Sequence, residues 1–556
     1  MTTEQSVNAK ARDLAIKQVS FPQNLAPATV TYSTYGHLLI TGAEDTIRLA
    51  AAQLSGMASI TLLATDPISN TDTDHLQRAI DASPELKVHT AKLSQIKGFL
   101  GQFQVTIDHQ GNNENFAKIA QNKNCFDLIL NLGQESLFTT DLTPAGYFHV
   151  SPESSTLSEV IEELPNYIGE FEKPRYFQIN NDICAHSNRG QTGCTRCLNV
   201  CPADAITSFK DLIEINPHMC HGAGGCATAC PTGAISYALP QPVMLHNYLH
   251  RLISTYQNNG GTAPTILIHD HEVGAEIIAN QPELLSDNVL PVSLEEVAAA
   301  GQESWLVSLA SGAQQVLLLD TPNVPDMVRD LLKRELKTTH AMLEGLGYST
   351  EQIKLITQDD LPNAQSASSY RNIPTIAVVA ETNKREALFV ALEHLTEHGE
   401  TANQDYIALP AGAPFGQVNV NSSSCTLCLS CVAVCPTQSL TDGGEMPALN
   451  FREQSCVQCG MCESACPENA IELVTQLNLK TERAIPVQIH TDEAFECISC
   501  GKPFAPKRTV DKMIEKLSSH RFFQGDAIQR LKMCEDCRVN DIYTDLTANP
   551  EKQLEL

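Results

Sequence analysis

Nineteen of the twenty cysteines in this chain fall in tight groups, and their spacing carries chemistry. The run Cys425-x2-Cys428-x2-Cys431-x3-Cys435-Pro436 recurs, after twenty intervening residues, as Cys456-x2-Cys459-x2-Cys462-x3-Cys466-Pro467. Three thiols two residues apart let a tight loop wrap one face of a compact metal cluster. The fourth, three residues on and followed by proline, starts a short helix aimed at a neighbouring site. This is the spacing of paired [4Fe–4S] clusters in which the fourth Cys of each run ligates the other cluster. Cys425, Cys428, Cys431 and Cys466 are therefore expected to hold one cluster (cluster 3), and Cys435, Cys456, Cys459 and Cys462 another (cluster 4). A pair of zinc sites fits worse, because four-cysteine zinc sites use two CxxC pairs rather than doubled runs. Gly460 and Ala465 suit close approach of backbone N–H groups to sulfur.

An earlier region carries an edited form of the pattern: Cys184-x9-Cys194-x2-Cys197-x3-Cys201-Pro202, then Cys220-x5-Cys226-x3-Cys230-Pro231. Cys184 lies seven residues early. The polar, glycine-containing insert 185–193 can bulge out and still return a thiolate, so Cys184, Cys194, Cys197 and Cys230 are expected to form cluster 1. Ala223 stands where a regular run has a cysteine, which leaves Cys201, Cys220 and Cys226 as a three-cysteine site (cluster 2). That site is open to a [3Fe–4S] centre, a [4Fe–4S] centre with a non-cysteine ligand, or degeneration. His221 and His218 are the candidate ligands, against the plainer reading of ordinary loop histidines. Cys497-x2-Cys500 and Cys534-x2-Cys537 are two knuckles suited to structural zinc, with a fifth Fe–S cluster or a single rubredoxin-like iron as the competing reading. Cys125 stands alone ahead of an apolar run and reads as a core residue.

These groups need a frame to position them. The chain has 556 residues, 42% of them hydrophobic, and a formal net charge of −28. Its length favours several domains. Its acidity repels nucleic acid and anionic lipid and suits either docking on basic patches of partner proteins or solubility alone. The segment 1–30 has neither an apolar export core nor a twin-arginine pair, and no stretch approaches ~20 apolar residues. A cytoplasmic, reducing setting follows, with the cysteines as metal ligands rather than disulfides.

The expected fold is multidomain, α/β plus α+β. Residues 1–35 read as a flexible lead-in. Residues 36–174 alternate strands (37–41, 59–65, 126–133) with helical patterns, notably 43–54. Two ferredoxin-like modules, 175–240 and 416–480, flank an α/β domain at 241–415. That domain has strands at 265–270, 289–292, 315–320 and 375–380 and a long helix at 326–346. A zinc-ribbon-like module follows at 490–545, with helices near 508–519 and 525–533, then a tail at 546–556.

The doubled runs resemble those of bacterial dicluster ferredoxins. Over about 35–150, Gly98, Phe99, Gly101, Phe103, Gly133, Gly146 and Tyr147 resemble a pattern in the flavoprotein subunit of heterodisulfide reductase, which implies a Rossmann-like domain. The dinucleotide loop departs from that pattern. Gly42 is present, the other glycines are absent, and Glu44 and Asp45 would face the phosphates. The fold is therefore expected to be kept and the flavin lost. The middle domain, with "GAQQVLLLD" and "LEGLGYSTEQIKLI", resembles the small delta subunit of methyl-viologen-reducing hydrogenases but lacks that family's cysteines, so its [2Fe–2S] chemistry is not carried over. Together these resemblances imply a redox partner such as formate dehydrogenase or hydrogenase. No nucleophile elbow, HExxH or P-loop is present. The expectation is a non-catalytic electron-transfer component holding three or four [4Fe–4S] clusters and zinc. The alternatives are a maturation or scaffold factor for a metalloenzyme and a flavin-dependent oxidoreductase.

Overall fold

The computed structural model describes all residues except 1–4, 25–26, 69–72, 110, 187–192, 365–369, 378, 380–382, 401–403, 445 and 549–556. Most of the insert after Cys184 and of the C-terminal tail thus lies outside the described residues.

The apolar run 37–43 becomes the centre of a five-stranded parallel sheet. Its order is Val88–Thr90, Ser59–Asp66, His37–Ala43, Leu128–Asn131, Tyr147–His149. Leu38, Leu39 and Ile40 are fully buried because helices and a side sheet cover both faces, as parallel sheets require. A three-stranded antiparallel sheet, Lys92–Lys97, Gln104–His109 and Asn112–Asn115, is inserted before the fourth parallel strand.

The second α/β unit has a four-stranded parallel sheet in the order Val289–Leu294, Thr265–Asp270, Gln315–Leu319, Ile353–Ile356. The helices Pro242–Asn258, Gln302–Ala310, Asp326–Gly345 and Lys384–His398 contribute to its large apolar core. Residues 375–377 and 379, expected in a strand, are irregular. Ile376 N–H donates to the Ala310 carbonyl, and Val379 is buried against the helices rather than in a sheet. An apolar run of this length does not by itself separate a strand from a buried connection.

The lead-in is a second correction. Val7–Gln18 is a helix whose N-cap Ser6 accepts from Ala9 N–H. Ala11, Ala15 and Val19 pack into the large core beside helix Pro242–Asn258. Thr29–Thr34 then pairs antiparallel with Gly169–Pro174.

Each cysteine module has a terminal strand pair, Phe177–Ile179 with Ile235–Tyr237 and Gly416–Val420 with Ile471–Asn478, and an inner hairpin. The boundaries of the second module extend beyond 416–480. Tyr406–Ala408, assigned by sequence to the middle domain, adds to strand Ile471–Asn478, and Val487–Thr491 adds to Ala448–Phe451. The C-terminal unit has a hairpin, Ala494–Glu496 with Pro503–Pro506, followed by helices Lys507–Leu517, Asp526–Arg530 and Glu535–Ala548. No described helix is long and apolar enough to cross a membrane.

Candidate metal centres

The four Cys-Pro corners share one local geometry. The third residue after each cysteine, Asp204, Gly233, Gln438 and Asn469, has positive φ. Three of these are not glycine, so each stores strain that its surroundings must hold. The turn they make aims backbone N–H groups at sulfur. Ala205 N–H donates to Cys201 Sγ at 3.2 Å, Ala470 N–H to Cys466 Sγ at 3.2 Å and Ile235 N–H to Cys230 Sγ at 3.4 Å. Such donors stabilise thiolate and tune a bound cluster. In three of the runs the third cysteine, Cys226, Cys431 or Cys462, sits on a short helix that begins after a left-handed residue: Gly224, Leu429 or Gly460.

Cys425, Cys428, Cys431 and Cys466 line one cavity, walled by Leu427, Leu429, Leu449 and Ile471. Burial, then the thiols of Cys425 and Cys428, push Cys431 up to about 12. Burial, then Cys456, Cys459 and Cys435, push Cys462 up further, with Cys431 of the neighbouring set beyond them. In the first module, burial and then Cys230, Cys194 and Cys184 push Cys197 up to about 12. Cys201, Cys220 and Cys226 line a cavity of their own with His221, Gly222, Ala223 and Gly224. Within each grouping expected from spacing, thiols thus lie close enough to raise one another's pKa. Crowded thiols resist ionising together unless a metal neutralises them, and the donor sets fit iron–sulfur clusters.

Cys497, Cys500, Cys534 and Cys537 differ in kind. Among the described residues they are the one set of cysteines whose sulfurs all lie within 4.8 Å of one another, with Cys500 and Cys534 at 3.8 Å. A single ion with metal–sulfur bonds of ~2.3 Å draws four thiolates to about this separation. A cubane holds its thiolates around a wider body. Burial opposes ionisation of Cys497, but N–H groups of Cys534, Cys500 and Ser499 outweigh it and bring the thiol down to about 6.

The two modules meet at their cysteines. Cys194 is pushed up to about 11, chiefly by burial, and the thiols acting on it include Cys230 of its own set and Cys459 of the second module. A Cβ on Gly193 would come within 2.8 Å of Met461 Sδ, which sits between Cys459 and Cys462. Cations hold this junction. Arg196 donates to the Ala229 carbonyl, the Gly412 carbonyl (2.6 Å) and Glu335 (2.7 Å). Lys384 Nζ donates to the Ala227 and Thr228 carbonyls of the first module. Its neighbour Arg385 donates to the Gln454, Pro414 and Cys456 carbonyls beside the second. Sequence reasoning passed over this Lys-Arg pair at the start of helix Lys384–His398; its signal was two adjacent cations between cysteine groups.

In the loop where the dinucleotide pattern was expected to be lost, Glu44 pairs with Arg48 at 3.0 Å, and Asp45 is buried and lies 3.5 Å from His75. One further expectation changes. Cys125 is only partly buried, its thiol donating to the Gly101 carbonyl.

Comparison with known proteins accords with this geometry. Residues 424–471 match the 4Fe-4S dicluster domain family, and residues 191–239 match the LdpA Fe-S cluster-binding domain. A protein named Ferredoxin 7Fe from Hydrogenibacillus schlegelii is 33% identical over 55 residues, which are 70% of its length and 10% of this chain. This chain belongs to the ferredoxin family of iron–sulfur proteins. Like other members, it is expected to bind [4Fe–4S] clusters through its Cys-Pro runs. It is also similar to hydrogenase-4 component A of Escherichia coli, 39% identical over 84 residues, which are 15% of this chain and 38% of the relative. A third similarity, to indolepyruvate oxidoreductase subunit IorA of Pyrococcus horikoshii, is 40% identity over 60 residues, 10% of this chain and 8% of that one. The ferredoxin-like portion thus spans well under half of these two larger relatives.

Proposed function

We propose that this ferredoxin-family chain is the electron relay of a larger cytoplasmic oxidoreductase assembly, with its cysteines in one line of four cluster sites and one mononuclear site. Bound clusters supply one-electron chemistry. The observation that carries the reading is continuity. Cys226 of cluster 2 is influenced by the thiols of Cys197 and Cys230 of cluster 1, Cys194 of cluster 1 by Cys459 of cluster 4, and Cys462 of cluster 4 by Cys431 of cluster 3, while a Cβ on Gly193 would come within 2.8 Å of Met461 Sδ. The line therefore runs from Cys201, Cys220 and Cys226 through Cys184, Cys194, Cys197 and Cys230. It continues through Cys435, Cys456, Cys459 and Cys462 to Cys425, Cys428, Cys431 and Cys466. Lys384, Arg385 and Arg196 fix the spacing at its middle, and exposed Cys428 brings its far end to the surface. Cys497, Cys500, Cys534 and Cys537 hold structural zinc, which fixes the last unit beside that end. Thr509 donates to the Thr426 carbonyl, and Lys512 pairs with Glu468.

Similarity to components of a hydrogenase and an oxidoreductase supports a partner of that kind, with formate dehydrogenase or hydrogenase as the natural candidates. The test is anaerobic purification with iron, sulfide, zinc and flavin quantified together, and EPR during reductive titration. About 16 irons per chain are expected for four cubanes, with one zinc, no flavin, and spin–spin broadening between neighbouring clusters. About eight irons with stoichiometric flavin refutes the relay and favours a flavin-dependent enzyme. Full clusters that no redox partner reduces reversibly favour a scaffold or maturation role.

A further inference from the structure

We propose that His221 completes the three-cysteine site, its Nε2 taking the place of the thiolate that Ala223 lacks and holding the fourth iron of a histidine-ligated [4Fe–4S] cluster. This rests on the relay reading above and adds to it the identity of one ligand.

Ala223 brings only a methyl to the cavity where Cys428 and Cys459 occupy the equivalent place in their runs. His221, two residues away, lines the same cavity as Cys201, Cys220 and Cys226. Its Nε2 is buried without a hydrogen-bond partner, a state that buried polar atoms rarely keep unless something absent from the protein atoms satisfies them. The chain turns sharply just after it. Gly222 and Gly224 both have positive φ, at 82° and 75°, and a Cβ on Gly224 would fall 2.5 Å from Ala299 N, so the loop is pressed against the middle domain.

The other candidate is already engaged. His218 stacks on Phe99 at 4.4 Å and 5°, lies edge-on to Tyr32, and its Nε2 bonds the Thr31 carbonyl at 3.2 Å. Tyr237, also at the cavity, donates its hydroxyl to the Gly222 carbonyl at 2.8 Å. An imidazole ligand is chemically apt. It binds iron, and being neutral it leaves the cluster less negative than a fourth thiolate would, which raises its potential. Lys173 Nζ, donating to the Cys220 carbonyl at 2.8 Å, acts in the same direction. The end of the line in the first module thus becomes the place where electrons rest.

The test uses full-length protein purified anaerobically, as wild type, His221→Ala and His221→Cys. The wild type, grown with 15N-labelled histidine, is expected to give one reduced cluster with a directly coupled histidine nitrogen by ENDOR, a measurement that needs no variant to fold. His221→Ala is expected to lose one iron per chain and gain the as-isolated EPR signal of an oxidised three-iron centre. His221→Cys is expected to keep the iron, lose the nitrogen coupling and lower the potential of that cluster. A wild type with a full complement of about 16 irons and no histidine coupling overturns the ligand assignment alone. A wild type with about eight irons, all in the second module, overturns the assignment together with the relay reading of the first.

Discussion

Replacing Arg385 with methionine is the sharpest test of how the two cysteine modules are held in register. The residue is partly exposed, but its guanidinium is enclosed between the Phe389 and Phe415 rings, whose centroids lie 5.3 and 4.8 Å away. Burial brings its pKa down to about 10, with the Cys456 thiol acting the other way. The head donates to three carbonyls on two chain segments: Gln454 at 2.6 Å, Pro414 at 3.2 Å, and Cys456. Methionine keeps much of the stem's volume and removes every donor. Three acceptors then lose charged partners at ~1–3 kcal/mol each. Gln454 and Arg385 border an open cavity that admits water, so the lower end applies and the total is about 3 kcal/mol. The assay is the rate at which cluster absorbance bleaches in guanidinium under anaerobic conditions, a kinetic measure suited to a cofactor-bound chain. At 1.4 kcal/mol per decade, the rate should rise by about 100-fold if the contact is lost only after the transition state. A rise of ~10-fold or more is the minimum consistent with this reasoning. Lysine retains the charge but not the fork, and should fall between the two. Bleaching within about twofold of wild type for the methionine variant refutes the claim that Arg385 holds the junction.

Three further outcomes are expected. Burial, then Asp270 and Glu272, push Glu296 up to about 7. The folded chain therefore keeps a proton that the unfolded chain sheds nearer pH 4.5, and this contribution is full below that pH and lost as pH rises through 7. Glu296→Gln should flatten the fall in stability between pH 5 and 8, worth at most ~3 kcal/mol, in denaturant titrations at both pH values. Arg196→Met strands Glu335, whose side chain is 6% exposed, at a cost of ~3–5 kcal/mol; adding Glu335→Gln should recover part of it, read as a double-mutant cycle. Cys497→Ser should release the ion of the C-terminal site, measured as zinc per chain, while iron content stays constant; iron lost in parallel would mean that this site also holds iron.

The Cys-Pro corners were legible because each depends on local spacing. An x2–x2–x3–Pro run permits few backbone paths, and the left-handed Asp204, Gln438 and Asn469 trace the same turn each time. The parallel strands were legible for a related reason: Thr265–Asp270 and His37–Ala43 are apolar runs with no polar face to offer solvent. The N-terminal helix Val7–Gln18 was missed because its buried face is built of alanines, which register weakly as hydrophobic yet allow close packing on helix Pro242–Asn258. Residues 375–380 misled in the opposite sense, being apolar enough for a strand but used as a buried connection. The meeting of Cys194 with Cys459 left no trace in either run. It depends on Arg196, Lys384 and Arg385 reaching backbone carbonyls, and a carbonyl carries no sequence signal.

That meeting also bears on synthesis. The first module has all its cysteines once Cys230 has left the ribosome, but Cys459 and Met461, which meet the Gly193–Cys194 edge, come about 230 residues later. At ~5–20 residues per second, the gap is about 10–50 seconds. Through that interval the middle domain can already pack on the first module, through Ala298, Ala299 and Glu335, while the edge at Gly193 still lacks Met461.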